Sequence, residues 1–386
     1  MLNRRILRAK VMQSLYALKQ SEASSYHHAH ENFKEIFSPD LNSMEVQDPV
    51  KIEEKRKAAA AAFDKNYLLE TPVFDTETPE IRDTVLAALK TYKNAVAKDK
   101  IFFRNHMVDT TAKLLETYIF TLLFPLDLSD YLGSGYEAKI VSKIFGNGYP
   151  LIFPENQVVN LLRENQKIQE WKVRKNLTWD KEILKKILTD ALANDETFRQ
   201  MLLEKAPDFA AQKEIMLQLF KKLVFKNEAI LHYFDESEVN WAENKSVVKS
   251  MVVKTIKSIE EHQQEIEILE LSSNWEEDKE FFIDLYNSTV QNDRYLEEVI
   301  SKKTQHWDIE RVAALDKIIL KMALSEMLDF PSIPVKVSIN EYIELSKVYS
   351  TPKSKQFVNG ILDKISADLV EEGVIKKSGR GLIDNK

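Results

Sequence analysis

Eight glycines in 386 residues leave this chain few positions at which it can turn sharply. Tight hairpins draw on glycine for their positive-φ residues, so such scarcity favours long helices with polar connections over a meander of short strands. Hydrophobic residues at 44% and charged residues at 30% are ordinary for a globular protein, and the length admits one large domain or two ordinary ones. The complete lack of cysteine excludes a disulfide framework, thiolate catalysis and Cys-ligated zinc. The opening MLNRRILRAKVMQSLYALKQ has neither the unbroken apolar stretch nor the small-residue site of a secretory signal, and no run of about 18 apolar residues occurs. A cytoplasmic protein without a membrane segment is expected.

Charge is unevenly distributed. Arg4, Arg5, Arg8, Lys10 and Lys19 fall within residues 1–20 without one acidic neighbour, while the whole chain is at −7. An anion site is therefore expected near the N-terminus. Asn3 is a good N-cap for a first helix running to about Gln20 through Leu7, Val11, Leu15 and Leu18. Arg4 and Arg8 share a face with Val11 and Leu15, so the first turns are expected to project beyond the core and expose the arginines. A second helix is expected from Tyr26 to Phe37.

From about residue 40 to 270 helical patterns alternate with turns at Thr71-Pro72, Thr78-Pro79, Gly133-Ser134-Gly135 and Gly146 to Pro150. The run Lys55 to Ala62 forms helix by propensity alone. Trp179, Trp241, Trp275 and Trp307 each precede acidic residues and an apolar helical run, which reads as a recurrent helix start rather than a base-stacking ladder. Farther on, Val312, Leu315, Ile318, Ile319 and Met322 make one apolar stripe ending near Phe330-Pro331. Ser338-Ile339-Asn340-Glu341 has the form of a capping box, with Val337 placed to staple against Tyr342. Thr351-Pro352 offers a cap and a first-position proline to a last helix through Phe357, Ile361, Leu362, Ile365 and Leu369 to Gly373. Three helices with short connections make a bundle.

The segments LKMALSEML, IPVKVSINEYIELSKVYS and SKQFVNGILDKI, in that order within Trp307 to Ile365, resemble the NusB family. Arg4-Arg5, Arg8 and Leu15-Tyr16 resemble its arginine-rich start, and Phe282 to Leu296 the helix ahead of the block. The resemblance implies an all-α, NusB-like helical bundle from residues 1–35 plus 271–370. Residues 40–270 would then be an additional helical insertion of unassigned role, and 371–386 a C-terminal tail. It also implies an RNA-binding transcription antitermination factor that engages a boxA-type single-stranded RNA with the ribosomal protein NusE, within an RNA polymerase antitermination complex that supports ribosomal RNA synthesis. The RNA contacts it implies are Arg4, Arg5 and Arg8, with Lys353, Ser354, Lys355, Gln356, Phe357, Asn359 and Gly360.

Elementary chemistry leaves alternatives at several of these positions. A basic helix end either anchors phosphates or is simply solvated. Phe357 either stacks an unpaired base or packs in register with Ile361 and Ile365. Glycine inside a helix costs about 1 kcal/mol relative to alanine, so Gly360 marks close helix packing, the commoner case, or the approach of a ligand. Asn359 suits a base edge or a backbone cap.

Catalytic and metal chemistry find no support. Tyr26-His27-His28-Ala29-His30 lacks the glutamate of a zincin helix and any cysteine partner, so an exposed polar face is the simpler reading. No Walker loop, dinucleotide fingerprint or nucleophile elbow is present, and no cofactor is expected. Some RNA methyltransferases carry a NusB-like domain before a catalytic one, but only Gly373 to Lys386 follow the block here. A different class of function, a helical protein–protein scaffold without RNA binding, remains the alternative.

Overall fold

The computed structural model describes residues 2–39, 47–75, 77–133, 156–194, 196, 208–238, 240–303 and 313–383. Among them the chain is all-α, without a strand. The expected turns at 134–135 and 146–150, and Trp307 and Val312, lie outside the described residues. The chain divides into two compact units, one formed by Arg4–Asp109 with Glu276–Lys386, the other by Met1–Asn3 with Thr110–Trp275.

In the first unit, α1 (Arg4–Ile36) is one continuous helix of 33 residues, where two were expected. Residues 21–25 have modest helix propensity, but Ala29 and Phe33 beyond them are buried in a cluster that holds the helix together across that stretch. The cluster is completed by α2 (Pro49–Asn66) and the first part of α3 (Pro79–Leu122). Ala59 and Ala62 of the alanine run are buried there, with Phe63 at its centre, so small side chains admit a close helix approach. Asp48 caps α2 by accepting from the Val50 N–H, with Pro49 at the first helical position. The histidine-rich stretch has a local role here: His30 Nε2 lies 2.8 Å from Asp64 Oδ1, which also accepts from the Tyr26 hydroxyl.

The C-terminal part of this unit comprises α11 (Trp275–Gln291) beyond its first residue, α12 (Asp293–Lys303), α13 (Ala314–Asp329), α14 (Val335–Tyr349) and α15 (Ser354–Glu371). α13 is buried on every side from Ile318 to Met327, so the expected single stripe is instead the hub of the bundle, touched by α1, α12, α14 and α15. α14 begins three residues before the expected capping box, after Pro334. Ser338 lies inside the helix and is fully buried, Glu341 is taken by an arginine, and Val337 is 41% exposed while Tyr342 is buried, so neither the box nor the staple forms. Thr351 and Pro352 form the turn ahead of α15 rather than its cap and first residue. Gly373, at φ 69°, ends α15 in the left-handed conformation that glycine adopts without a Cβ penalty.

The second unit takes the end of α3, then α4 (Phe124–Gly133), α5 (Gln157–Glu164), α6 (Gln166–Lys175), α7 (Lys181–Asn194), α8 (Phe209–Gln218) continued by a π-helical turn, α9 (Glu228–Ser237) and α10 (Trp241–Ser258). Asn156, Asn165, Asp208 and Asn227 each cap a helix through a side-chain oxygen. Trp179, Trp241 and Trp275 stand at or just before helix starts, as the sequence pattern predicts. Trp179 is buried against Phe120, rings 4.5 Å apart, and donates its indole N–H to the Phe120 carbonyl.

Candidate nucleic-acid interface

The N-terminal arginines meet carboxylates that arrive from far along the chain. Arg8 is 3% exposed, against the expectation of a projecting cation. Its guanidinium grips Glu326 of α13 in a two-pronged pair, Nε to Oε2 at 2.7 Å and Nη2 to Oε1 at 2.8 Å. The Ser338 and Tyr342 hydroxyls on α14 donate to the same two oxygens at 2.8 and 3.1 Å. Four donors therefore satisfy a fully buried carboxylate, and three helices meet at one charge pair. Burial alone would lower the Arg8 pKa, but the hydrogen bonds and charge of Glu326 outweigh it and hold the guanidinium ionised. Burial drives the Tyr342 phenol well above its ordinary range. The second turn of α1 is embedded because the charge of Arg8 has a buried counter-charge, and Arg8 is not available to a phosphate.

Arg5 remains half exposed and pairs with both oxygens of Glu341 at 2.8 and 2.9 Å. Arg4 pairs with Glu277 at 2.5 Å and Asp278 at 3.2 Å while lying over the Phe281 ring. An anion reaching either would have to exchange with a carboxylate. Hydrogen bonding from Arg5 holds the Glu341 carboxyl below the usual range. That contribution is present above an ordinary glutamate pKa and is lost as pH falls through the lowered one. The melting-temperature gap between wild type and Glu341→Gln should accordingly be open at pH 7 and close below about pH 4; a constant gap across that range would show that the pair contributes nothing.

The start of α15 presents a different surface. Lys353, Lys355 and Gln356 are exposed, Phe357 and Asn359 half buried. Ser354 is corrected from a surface contact to a structural one: it is 2% exposed and donates to Asp316 Oδ2 at 2.6 Å, with the Ser350 and Thr351 hydroxyls within 2.9 Å of its own. The buried apolar stripe of α15 begins at Val358, and Phe357 is half buried beside it, at the edge of the core rather than in it. Asn359 donates to Asp363 one turn on, which is neither alternative the sequence left open. Gly360 is exposed, and a Cβ built on it would meet nothing within 4 Å, which removes close helix packing as its reason. Hydrogen bonding and charge from Lys347 lower the Glu344 carboxyl, and the charges of Arg5 and Lys355 add to this, so α1 and α15 act on one carboxylate of α14.

Sequence reasoning missed Glu326, Ser338, Tyr342 and Asp316. A signal existed: a glutamate one turn beyond Met322, set among Ala323, Leu324, Met327 and Leu328, asks for a buried partner.

These elements define an all-α bundle closed by a buried arginine–glutamate pair and carrying an exposed cationic helix start. The chain contains a NusB family domain, with the model of that family matching residues 246–367. Three proteins named transcription antitermination protein NusB are similar to it. That of Chloroherpeton thalassium is 45% identical over 106 residues, 28% of this chain and 50% of its own length. That of Salinibacter ruber is 44% identical over 27% of this chain and 66% of its own, and that of Koribacter versatilis 39% identical over 25% and 66%. The chain thus spans about half to two thirds of these relatives. No solved structure matches it. Among the described residues no helix is long and apolar enough to cross a membrane.

Proposed function

We propose that this chain is a non-enzymatic, cytoplasmic RNA-binding factor of transcription antitermination. It engages a boxA-type single-stranded RNA with the ribosomal protein NusE, within an RNA polymerase antitermination complex that supports ribosomal RNA synthesis. The domain match and the names of the relatives support the general role. The observation that carries the RNA reading is the exposed start of α15, where two lysines and a half-buried aromatic flank a helical glycine with open space above it. Lysines neutralise phosphates, a helix N-terminus favours anions, an edge aromatic can stack a base, and a glycine lets a backbone come close. In this reading Lys353, Lys355, Gln356, Phe357, Asn359 and Gly360 form the contact surface, Arg4 and Arg5 extend it by exchanging carboxylates for phosphates, and Arg8 and Ser354 hold the scaffold. Residues 40–270 take no catalytic part.

The test is binding of a boxA-type RNA, with and without NusE, across a salt series. Salt-sensitive association is expected. Its absence under both conditions would leave the helical protein–protein scaffold as the function. Gly360→Ala separates the two readings further. It should stabilise the protein by about 0.5–1 kcal/mol in urea unfolding, since alanine is the better helix former and nothing obstructs it. RNA affinity should nevertheless fall, and a stabilised variant that binds RNA as well as wild type would remove Gly360 from the contact surface.

A further inference from the structure

The second unit holds a cavity of about 200 Å³ between α3, the loop after α6 and α9, bordered by Lys113, Thr117, Phe120, Tyr233, Phe234 and Glu238. Glu238 is 8% exposed, and its Oε2 accepts from the Thr117 hydroxyl at 2.5 Å. Among the described residues no cation forms an ion pair with it, and Glu116, also at the rim, is engaged by Lys175 at 3.4 Å. With one hydroxyl donor, against the four on Glu326, the Glu238 carboxylate keeps accepting capacity for a ligand in the cavity. Three aromatic rings border it among polar side chains, with Phe120 and Tyr233 ring centroids 5.9 Å apart and Tyr233 and Phe234 5.8 Å apart. Ring faces attract ammonium groups, most strongly where water is scarce.

We propose that this cavity binds the ammonium group of a small organic amine, with Glu238 as the anchoring carboxylate and Phe120 and Tyr233 as its walls. Size limits the ligand to one short alkyl chain. The shared chemistry is that of a free alkylamine and of a lysine side chain on a peptide. The test titrates the full chain with n-butylammonium, Nα-acetyl-lysine methylamide, 1-butanol and butyrate, followed by calorimetry and by the fluorescence of Trp179, which stacks on Phe120. Saturable binding of n-butylammonium, with the neutral and anionic analogues at least about tenfold weaker, is the expected result. Comparable binding of the lysine derivative would assign the site to a peptide, and its exclusion would assign it to a free amine. In Glu238→Gln, folded by circular dichroism, affinity for the ammonium should drop at least about tenfold. No saturable binding to wild type, equal binding of butanol, or an unaffected Glu238→Gln protein would overturn the proposal. The wild-type comparison of cation with neutral analogue decides the matter even if the variant fails to fold.

Discussion

Glu326→Ala should cost the first unit about 3–5 kcal/mol, the loss that follows when one partner of a buried ion pair is removed and the other is left charged in the core. The stranded group is Arg8, 3% exposed, whose next carboxylate among the described residues is Glu341 at 3.6 Å. Ser338 and Tyr342 would lose their acceptor at the same time, adding two buried hydroxyls without partners. Two controls isolate the cause. Replacing both charges, Arg8→Met with Glu326→Leu, should recover much of the loss, because a well-packed apolar pair is often no worse than a buried ionic one. Arg5→Ala, which removes an exposed pair, should cost about 1 kcal/mol or less. The readout is amide exchange in α13, the helix that carries Glu326. A Glu326→Ala loss no larger than that of Arg5→Ala would refute the central role of the pair.

The second large effect is expected on RNA. Lys353→Ala with Lys355→Ala should flatten the plot of log affinity against log salt by about 1.4 units, since each phosphate contact to a single strand contributes about 0.7. Phe357→Ala should instead weaken binding by about 1–3 kcal/mol with the slope nearly unchanged, the mark of lost stacking. Phe357 is half buried, so its stability is measured first and affinity is compared only between folded proteins. Unaltered slope and affinity in both variants would remove the start of α15 from the interface.

How far the sequence could be read depended on how local the information was. The last three helices were legible because their apolar periodicity, their short connections and the family motifs agreed. The tryptophan-led helix starts of the second unit were legible for the same reason, as cap and first-turn charge lie within a few residues. The misreadings share a cause in distant partners. Arg8 looked exposed because no acid lies near it in sequence, yet its partner is 318 residues away. Ser338 and Glu341 have the spacing of a capping box, but Glu326 and Arg5 claim their side chains. Gly360 looked like a packing residue because a helical glycine often is one, and only the empty space above it says otherwise.

That separation of 318 residues also sets a clock. At roughly 5–20 residues per second, α1 leaves the ribosome roughly 20–60 s before the helix that will neutralise its arginine exists. During that interval the stretch that ends as the most enclosed part of α1 has to wait in water, and an arginine in its middle keeps it hydrated where a methionine would add to a sticky surface. The residues from Thr110 to Trp275, which cluster as the other compact unit, are synthesised within the same wait. Birth order thus favours completion of the middle of the chain before its two ends find each other.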